Sequence, residues 1–156
     1  MPERRYWIFK SEPNAYSFTD LMNEPDGWAE WDGVRNYQAR NTMRDDMKVG
    51  DGILFYHSNA KPLSIVGVAS VVREGYDDFH GLDPGDVHYD PKATQENPIW
   101  CMVDIKGEHA LTKPVTLDEI KSNPRLKDMM LIRKGMRLSI QPVTQEEFDE
   151  VVSMGG

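Results

Sequence analysis

The sequence predicts one α+β domain spanning residues 1–156, in which short helices surround a small mixed β-barrel. Five or six short segments with strand-like composition are interleaved with helix signals along the chain. The chain has neither a repeated strand-helix-strand pattern nor a glycine-rich phosphate loop, which disfavours a doubly wound sheet. With 39% hydrophobic residues in 156, it is long enough to bury a core of its own.

The first strand is expected in RYWIFKS, where aromatic and β-branched residues precede a polar end. Ser17 is followed three residues later by Asp20, a pair that resembles a capping box and predicts a short helix. Trp28 and Trp31 come after the turn that ends this helix, and we place them in a loop.

Residues 36–46 are composed of helix-favouring residues, and two strands follow this helix. The first strand is GILFYHS, and the second is SIVGVASVVRE, whose apolar character along most of its length is typical of a strand covered on both faces. Gly67 within the second strand predicts a bulge or a barrel corner. The helix side chains that we expect to be buried are Tyr37, Met43 and Met47.

The second half of the chain begins with a long surface loop, residues 77–98, which is rich in Gly, Pro and Asp. A strand at 99–105 follows it. The remaining expected elements are short helices at 117–120, capped by Thr116 with Glu119, and at 125–132, a last strand RLSIQPV, and a terminal helix opened by Thr144 with Glu147 that buries Phe148, Val151 and Val152.

Charge is unevenly distributed along a chain whose formal net charge is −8. Residues 121–137 contain six basic residues and one acid, whereas residues 76–100 contain six acids and one lysine. This overall charge disfavours a protein that binds duplex DNA through an extensive basic surface. The basic segment favours one confined contact with nucleic acid instead. A solvated helix face is the alternative for that segment.

The single cysteine, Cys101, cannot form an internal disulfide and stands in an apolar run, so we expect a buried, inert thiol and a reducing, cytoplasmic location. The N-terminus lacks the apolar region of a signal peptide. No apolar run approaches eighteen residues, so no membrane span is predicted.

Catalysis and metal binding are both weakly supported by the motifs. Ser11 and His57 stand near strand ends, yet the chain has no nucleophile elbow. The four histidines lack metal-binding spacing, and we interpret the Asp- and His-rich stretch as a solvated loop rather than a cation site. That stretch carries His80, Asp83, Asp86, His88 and Asp90. We therefore predict no catalytic residue, no metal and no cofactor.

The stretch WDGVRNYQARN, residues 31–41, is too polar for a core strand and too aromatic for an ordinary loop. Trp31 would offer a flat surface for a base taken out of its stack, unless it is simply a core or lid aromatic. Tyr56, His57 and Ser58 would supply hydrogen-bonding groups at a strand end. The basic side chains that we expect to contact phosphates are Arg40, Arg44, Arg133, Lys134 and Arg137.

Several motifs taken together resemble the EVE domain, a member of the PUA-like superfamily related to the YTH domain. The likeness runs from about Tyr6 to Val152, and the ordered combination is specific although each piece alone is weak. The motifs are YWIFKSEP at 6–13, WDGVRNYQARN at 31–41, MKVGD at 47–51, FYHSN at 55–59, IVGVASVVRE at 65–74, HYDPK at 88–92, NPIW at 97–100 and RLSIQPV at 137–143.

This resemblance implies a PUA-like barrel with a pocket for a modified nucleobase from DNA or RNA, including modified cytosines in DNA. Trp31 would form an aromatic wall of the pocket, with Lys10 and Ser11 at its entrance. The residues expected to complete it are Val34, Arg35, Asn36, Tyr56, His57 and Ser58. An enzyme of RNA or nucleotide metabolism that uses Lys10, Glu12 or His57 is the alternative, as is an accessory module that binds a protein. The modification preferred and the oligomeric state are left open.

Overall fold

A computed structural model describes residues 4–32, 34–133 and 138–156. These residues form one mixed six-stranded sheet with four short α-helices, which confirms the α+β class. The strands are β1 (Tyr6–Ser11), β2 (Ala29–Trp31), β3 (Gly52–His57), β4 (Ser64–Asp77), β5 (Cys101–Thr116) and β6 (Ile140–Val143). The helices are α1 (Phe18–Met22), α2 (Tyr37–Asp45), α3 (Leu117–Ser122) and α4 (Gln145–Met154), with 3₁₀ turns at Phe79–Leu82, Pro124–Leu126 and Met130–Ile132.

The sheet has the strand order β2-β5-β4-β3-β1-β6, with β1 and β3 parallel and the other neighbours antiparallel. The edge strand β2 is four positions from β1, about 19 Å in a flat sheet at 4.8 Å per strand. The ring of Trp31 on β2 nevertheless lies 5.4 Å from that of Phe9 on β1. The sheet therefore curls strongly. No pairing joins β2 to β6 among the described residues, so closure into a barrel stays a prediction.

Side chains of β1 alternate between two hydrophobic cores, one on each face of the sheet. Tyr6 and Ile8 pack with the C-terminal helices, and the Tyr6 ring lies 4.4 Å from that of Phe148 in α4. Trp7 and Phe9 point to the opposite core, which α1 and α2 cover. Because Ser11 follows Phe9 with the same parity, its side chain lies on the face that also holds Trp31.

The predicted caps are confirmed. Ser17, Thr116 and Thr144 each open a helix with a complete capping box, in which the cap hydroxyl accepts from the backbone N–H three residues on. The bulge at Gly67 is also confirmed by the register shift between Ile65 and Gly67. A Cβ at Gly67 would lie 2.3 Å from the Phe18 ring, so only glycine fits there.

Three sequence-based expectations were wrong. Tyr37 is 58% exposed rather than buried, because its ring stacks on Trp100 outside the core. Trp31 belongs to strand β2 rather than a loop. Strand β5 extends to Thr116 instead of ending near residue 105, since its polar second half pairs with β4 while exposing one face to solvent.

Most of the other expectations agree with the structure, except that of a single helix at 125–132. Met43, Met47, Phe148 and Val151 are buried, and Cys101 is a buried free thiol. Residues 125–132 form two 3₁₀ turns rather than one helix. Within the described ranges, no helix combines the length and apolar character needed to cross a membrane.

Candidate functional site

A pocket of about 680 Å³ opens between the end of β1, the segment that leads into β2, and the tip of the loop after β4. Its aromatic wall consists of Tyr16, Trp28 and Trp31. The acids that line it are Glu24, Asp26, Glu30 and Asp32. A site of this size and composition would hold a flat ring that presents hydrogen-bond donors along its edge.

Trp31 is fixed from one side by the core. Its ring lies 5.4 Å from Phe9, 5.6 Å from Phe55 and 6.1 Å from Tyr16, the last two in edge-on geometry. The residue is half-buried, and its remaining surface lines the pocket. The two interpretations of Trp31, as a pocket wall and as a core aromatic, therefore both describe it.

Tyr16 connects this wall to a carboxylate. The Ser11 hydroxyl donates to the Tyr16 carbonyl at 2.6 Å, and the Tyr16 hydroxyl donates to Glu24 Oε1 at 2.5 Å. Burial, together with the hydrogen bond to Glu24 and its charge, raises the pKa of Tyr16 well above its ordinary value. The phenol therefore stays protonated and keeps donating to Glu24.

A network of two imidazoles and three carboxylates joins β2 to the loop after β4. His80 lies 3.1 Å from Asp86 through Nδ1 and 3.1 Å from Glu30 through Nε2, while His88 Nδ1 lies 3.2 Å from Asp32. Partial burial alone would lower the pKa of His80, but the hydrogen bond with Glu30 and the three nearby carboxylate charges outweigh it and raise the pKa. The network holds the loop against the pocket.

We predicted that the stretch with His80, Asp86 and His88 is a solvated loop without a cation site. In the structure these side chains pair with one another and with Glu30 and Asp32. Ligand atoms of Asp32, His80 and Asp86 lie within 4.8 Å of one another, so the loop does gather groups of metal-binding type. Asp83, by contrast, caps the backbone N–H of Gly85, and Asp90 accepts from Trp100 Nε1 at 2.7 Å.

Arg35 forms several contacts within the protein. Its guanidinium donates to Asp78 at 3.0 Å and to the His88 carbonyl at 2.6 Å, and it lies over the Trp100 ring. These contacts tie the start of α2 to the loop after β4. Two partners of Arg35 are thus inside the protein, and the predicted role of Arg35 in the pocket stays a prediction.

The neighbours of Arg35 also lie away from the pocket. The Val34 side chain is buried in the core beneath α2. Asn36 is the N-cap of α2, and its side-chain oxygen accepts from the Ala39 N–H at 2.9 Å. Asn is a preferred cap because its oxygen satisfies an otherwise unpaired helix N–H, and that role explains this residue without a ligand.

The predicted site residues at the ends of β1 and β3 lie on different faces of the sheet. Tyr56 is buried in the core opposite to Trp31, and the Lys10 ammonium lies 5.8 Å from the Tyr56 ring, where burial lowers the pKa of Lys10. His57 Nε2 accepts from the Phe18 N–H at 3.1 Å, and burial lowers the pKa of His57. The Ser58 N–H donates to the Ser11 carbonyl. Of this set, only Ser11 lines the pocket.

The residues predicted to contact phosphates differ in the hydrogen bonds and ion pairs that they already form within the protein. Arg40 donates to the Ile99 carbonyl at 2.9 Å and to Asn41, and Arg44 pairs with the adjacent Asp45. Arg133 is exposed and donates to the Asp128 carbonyl. Lys134 and Arg137 lie outside the described residues. Contact of these side chains with phosphates stays a prediction.

The sequence interpretation missed most of the pocket. Tyr16, Glu24, Asp26 and Trp28 belong to it although no motif singled them out. A signal was present in GWAEWD, where two tryptophans three residues apart alternate with acids. Both tryptophans and both acids of this segment line the pocket.

Comparison with known proteins shows similarity along the whole chain. A family model described as the EVE domain matches residues 5–154. Thymocyte nuclear protein 1 of chicken (Gallus gallus) is 43% identical over 166 residues, covering 96% of this chain and 68% of that protein. A hypothetical protein from Leishmania major superposes with a TM-score of 0.90 at 46% identity, covering 98% of this chain and 95% of the other.

One further solved structure bears on the ligand. The crystal structure of human THYN1 protein in complex with 5-methylcytosine-containing DNA superposes with a TM-score of 0.89 at 40% identity, covering 97% of each chain. The similarity therefore includes every element that forms the pocket.

Proposed function

Because this chain belongs to the EVE domain family, we propose that it is a noncatalytic reader of a modified nucleobase, which it takes out of DNA or RNA into the pocket of Tyr16, Trp28 and Trp31. Closure of the curled sheet into a PUA-like barrel, with the pocket at its rim, is part of this proposal. A cytoplasmic location stays a prediction.

The half-buried Trp31 is the observation that carries the proposal. A base that leaves its stack loses stacking energy, and an aromatic surface restores about 1–3 kcal/mol per base. Trp31 offers such a surface in a fixed position, because its ring packs against the rings of Phe9, Phe55 and Tyr16. The human relative that binds 5-methylcytosine-containing DNA supports the same kind of ligand.

The alternative of an enzyme is less well supported by the geometry. Its candidate acid-base groups were Lys10, Glu12 and His57. The Lys10 side chain lies over Tyr56, on the face opposite to the pocket, and His57 already accepts from the Phe18 N–H. A general acid or base must reach its proton within hydrogen-bond distance, so Lys10 and His57 do not converge on a ligand in the pocket.

The test is a binding panel read by fluorescence anisotropy. Single-stranded and duplex oligonucleotides of one sequence would carry 5-methylcytosine, 5-hydroxymethylcytosine, N6-methyladenine or no modification. We expect one modified base to bind more tightly than its parent base by roughly 10- to 200-fold, the range that a methyl-sized contact provides. A salt titration should give a log-log slope of about −2 to −4, because only a few phosphates are contacted.

A pair of variants makes the panel specific for the pocket. Trp28→Ala removes a wall residue that is 39% exposed, and Tyr89→Ala removes a similarly exposed aromatic outside the pocket. Trp28→Ala should lose affinity for the modified base, whereas Tyr89→Ala should not. Equal affinity of the unaltered protein for all bases would overturn the proposed function, as would a slope near −8.

A further inference from the structure

We propose that Glu24, oriented by Tyr16, is the residue that selects a cytosine-type base over thymine by accepting a hydrogen bond from its exocyclic amine. This inference rests on the proposed function, because it assigns a role within the same pocket.

The need for such a residue follows from the chemistry of the bases. Thymine and 5-methylcytosine have the same ring face and the same 5-methyl group, so stacking and an apolar corner bind both about equally. They differ at position 4, where cytosine presents an amino donor and thymine a carbonyl acceptor. Position 3 differs as well, being an acceptor in cytosine and an N–H donor in thymine. A fixed carboxylate that faces position 4 separates the two bases, because it accepts from the cytosine amine and repels the thymine oxygen.

Glu24 is fixed relative to the stacking surface. Its Oε1 accepts from the Tyr16 hydroxyl at 2.5 Å, and the Tyr16 ring stands edge-on to Trp31 at 6.1 Å and 74°. The Ser11 hydroxyl holds the Tyr16 backbone in turn. A carboxylate has about four lone-pair sites, so one bond from Tyr16 leaves acceptor capacity for a ligand. Glu24 therefore combines orientation with free acceptor sites at the pocket surface.

The other three acids of the pocket do not combine these properties. Glu30 has a partner on each oxygen, His80 on Oε1 and the Tyr76 hydroxyl on Oε2, and Asp32 Oδ2 faces both His80 and His88. Asp26 is exposed, and no side-chain hydrogen bond or ion pair orients it within the part of the chain that the structure describes. An acceptor without orientation discriminates poorly, because its geometry adapts to either base.

The experiment compares Glu24→Gln with the matched variant Asp26→Asn. Each removes one negative charge from the pocket, so general effects of charge on nucleic-acid binding are the same in both. Affinities would be measured for three single strands that differ only in one base: 5-methylcytosine, cytosine or thymine. Single strands remove the difference in base pairing between cytosine and thymine.

We expect the unaltered protein and Asp26→Asn to prefer 5-methylcytosine to thymine by about 5- to 150-fold, the discrimination that a well-placed side chain provides. In Glu24→Gln this ratio should collapse, because an amide can donate to the thymine oxygen as well as accept from an amine. The ratio of 5-methylcytosine to cytosine should not change, since the methyl contact is untouched.

Tyr16→Phe tests the positioning role independently. It keeps the ring against Trp31 and removes only the hydroxyl that holds Glu24. A fall in the ratio of affinities for 5-methylcytosine and thymine supports the positioning role, whereas an equal loss of affinity for all three strands would show a structural role and contradict it.

The outcomes for Glu24→Gln separate this inference from the proposed function. If its ratio of affinities for 5-methylcytosine and thymine is unchanged and its preference for 5-methylcytosine over cytosine is intact, this inference alone is contradicted. If the unaltered protein prefers no modified base of the panel, the proposed function fails; if it prefers a modified adenine, the proposed function stands and this inference fails.

Discussion

Replacing Trp31 with alanine should weaken both the fold and the pocket, by amounts that the structure allows to be separated. Truncation of a fully buried tryptophan costs about 3–5 kcal/mol, and each aromatic pair contributes about 0.5–1.5 kcal/mol beyond area burial. Trp31 is half-buried with three ring neighbours, so we expect a loss of about 2–3 kcal/mol. For a domain of this size the melting temperature would fall by about 4–12 °C.

The domain should nevertheless remain folded at 20 °C, because a typical stability of about 5–15 kcal/mol exceeds that loss. Binding measured there would report on the pocket alone. Loss of one stacking surface should reduce affinity for the modified base by about 5- to 150-fold, since stacking contributes about 1–3 kcal/mol per base. Trp31→Phe, which retains a ring in the same place, should lose less of both quantities.

Thermal unfolding followed by circular dichroism, with anisotropy on the same samples, would test this reasoning. A melting temperature within 2 °C of the unaltered protein would show that the ring contacts contribute little. A large fall with unchanged preference for the modified base would instead make Trp31 a core residue and contradict its role as the pocket wall.

Two further predictions concern the framework of the site. Gly67→Ala should destabilise the domain by about 1–3 kcal/mol in urea unfolding, because its Cβ would overlap the buried Phe18 ring at 2.3 Å, whereas Gly85→Ala, with its nearest contact at 3.4 Å, should not; equal stability of the two variants would refute the close approach. The raised pKa of His80 means that its stabilising contribution is complete below the ordinary value of 6.5 and is lost as pH rises through the folded value. The melting temperature of the unaltered protein should therefore fall over that window relative to that of His80→Gln, and parallel pH profiles would contradict this.

The parts of the fold that could be predicted are those that depend on local chemistry. The caps at Ser17, Thr116 and Thr144 were predictable because a side-chain oxygen three residues before an acid satisfies the same helix N–H groups in any context. The bulge at Gly67 was predictable because a strand interior rarely tolerates glycine without a close approach.

The parts that could not be predicted depend on contacts between distant segments. The second half of β5 is polar, and only its pairing with β4 makes it a strand. Tyr56 and Ser11 are both strand residues of the expected kind, but the parallel pairing of β1 with β3 places their side chains on opposite faces. Arg35 was predicted as a pocket residue, and its pairing with Asp78 depends on the distant loop after β4.

The distribution of charge explains how a protein of net charge −8 can read nucleic acid. Two of the four acids of the pocket, Glu30 and Asp32, lie at or next to β2 and pair with His80 and His88. The opposite end of the pocket lies at Ser11, beside Lys10, whose N–H donates to the carbonyl of Ser139. In the proposed function, the base points its amine toward the carboxylate of Glu24. In such an arrangement, contacts with the correct base contribute more to the affinity than contacts with the phosphate backbone, which is the property that a selective reader requires.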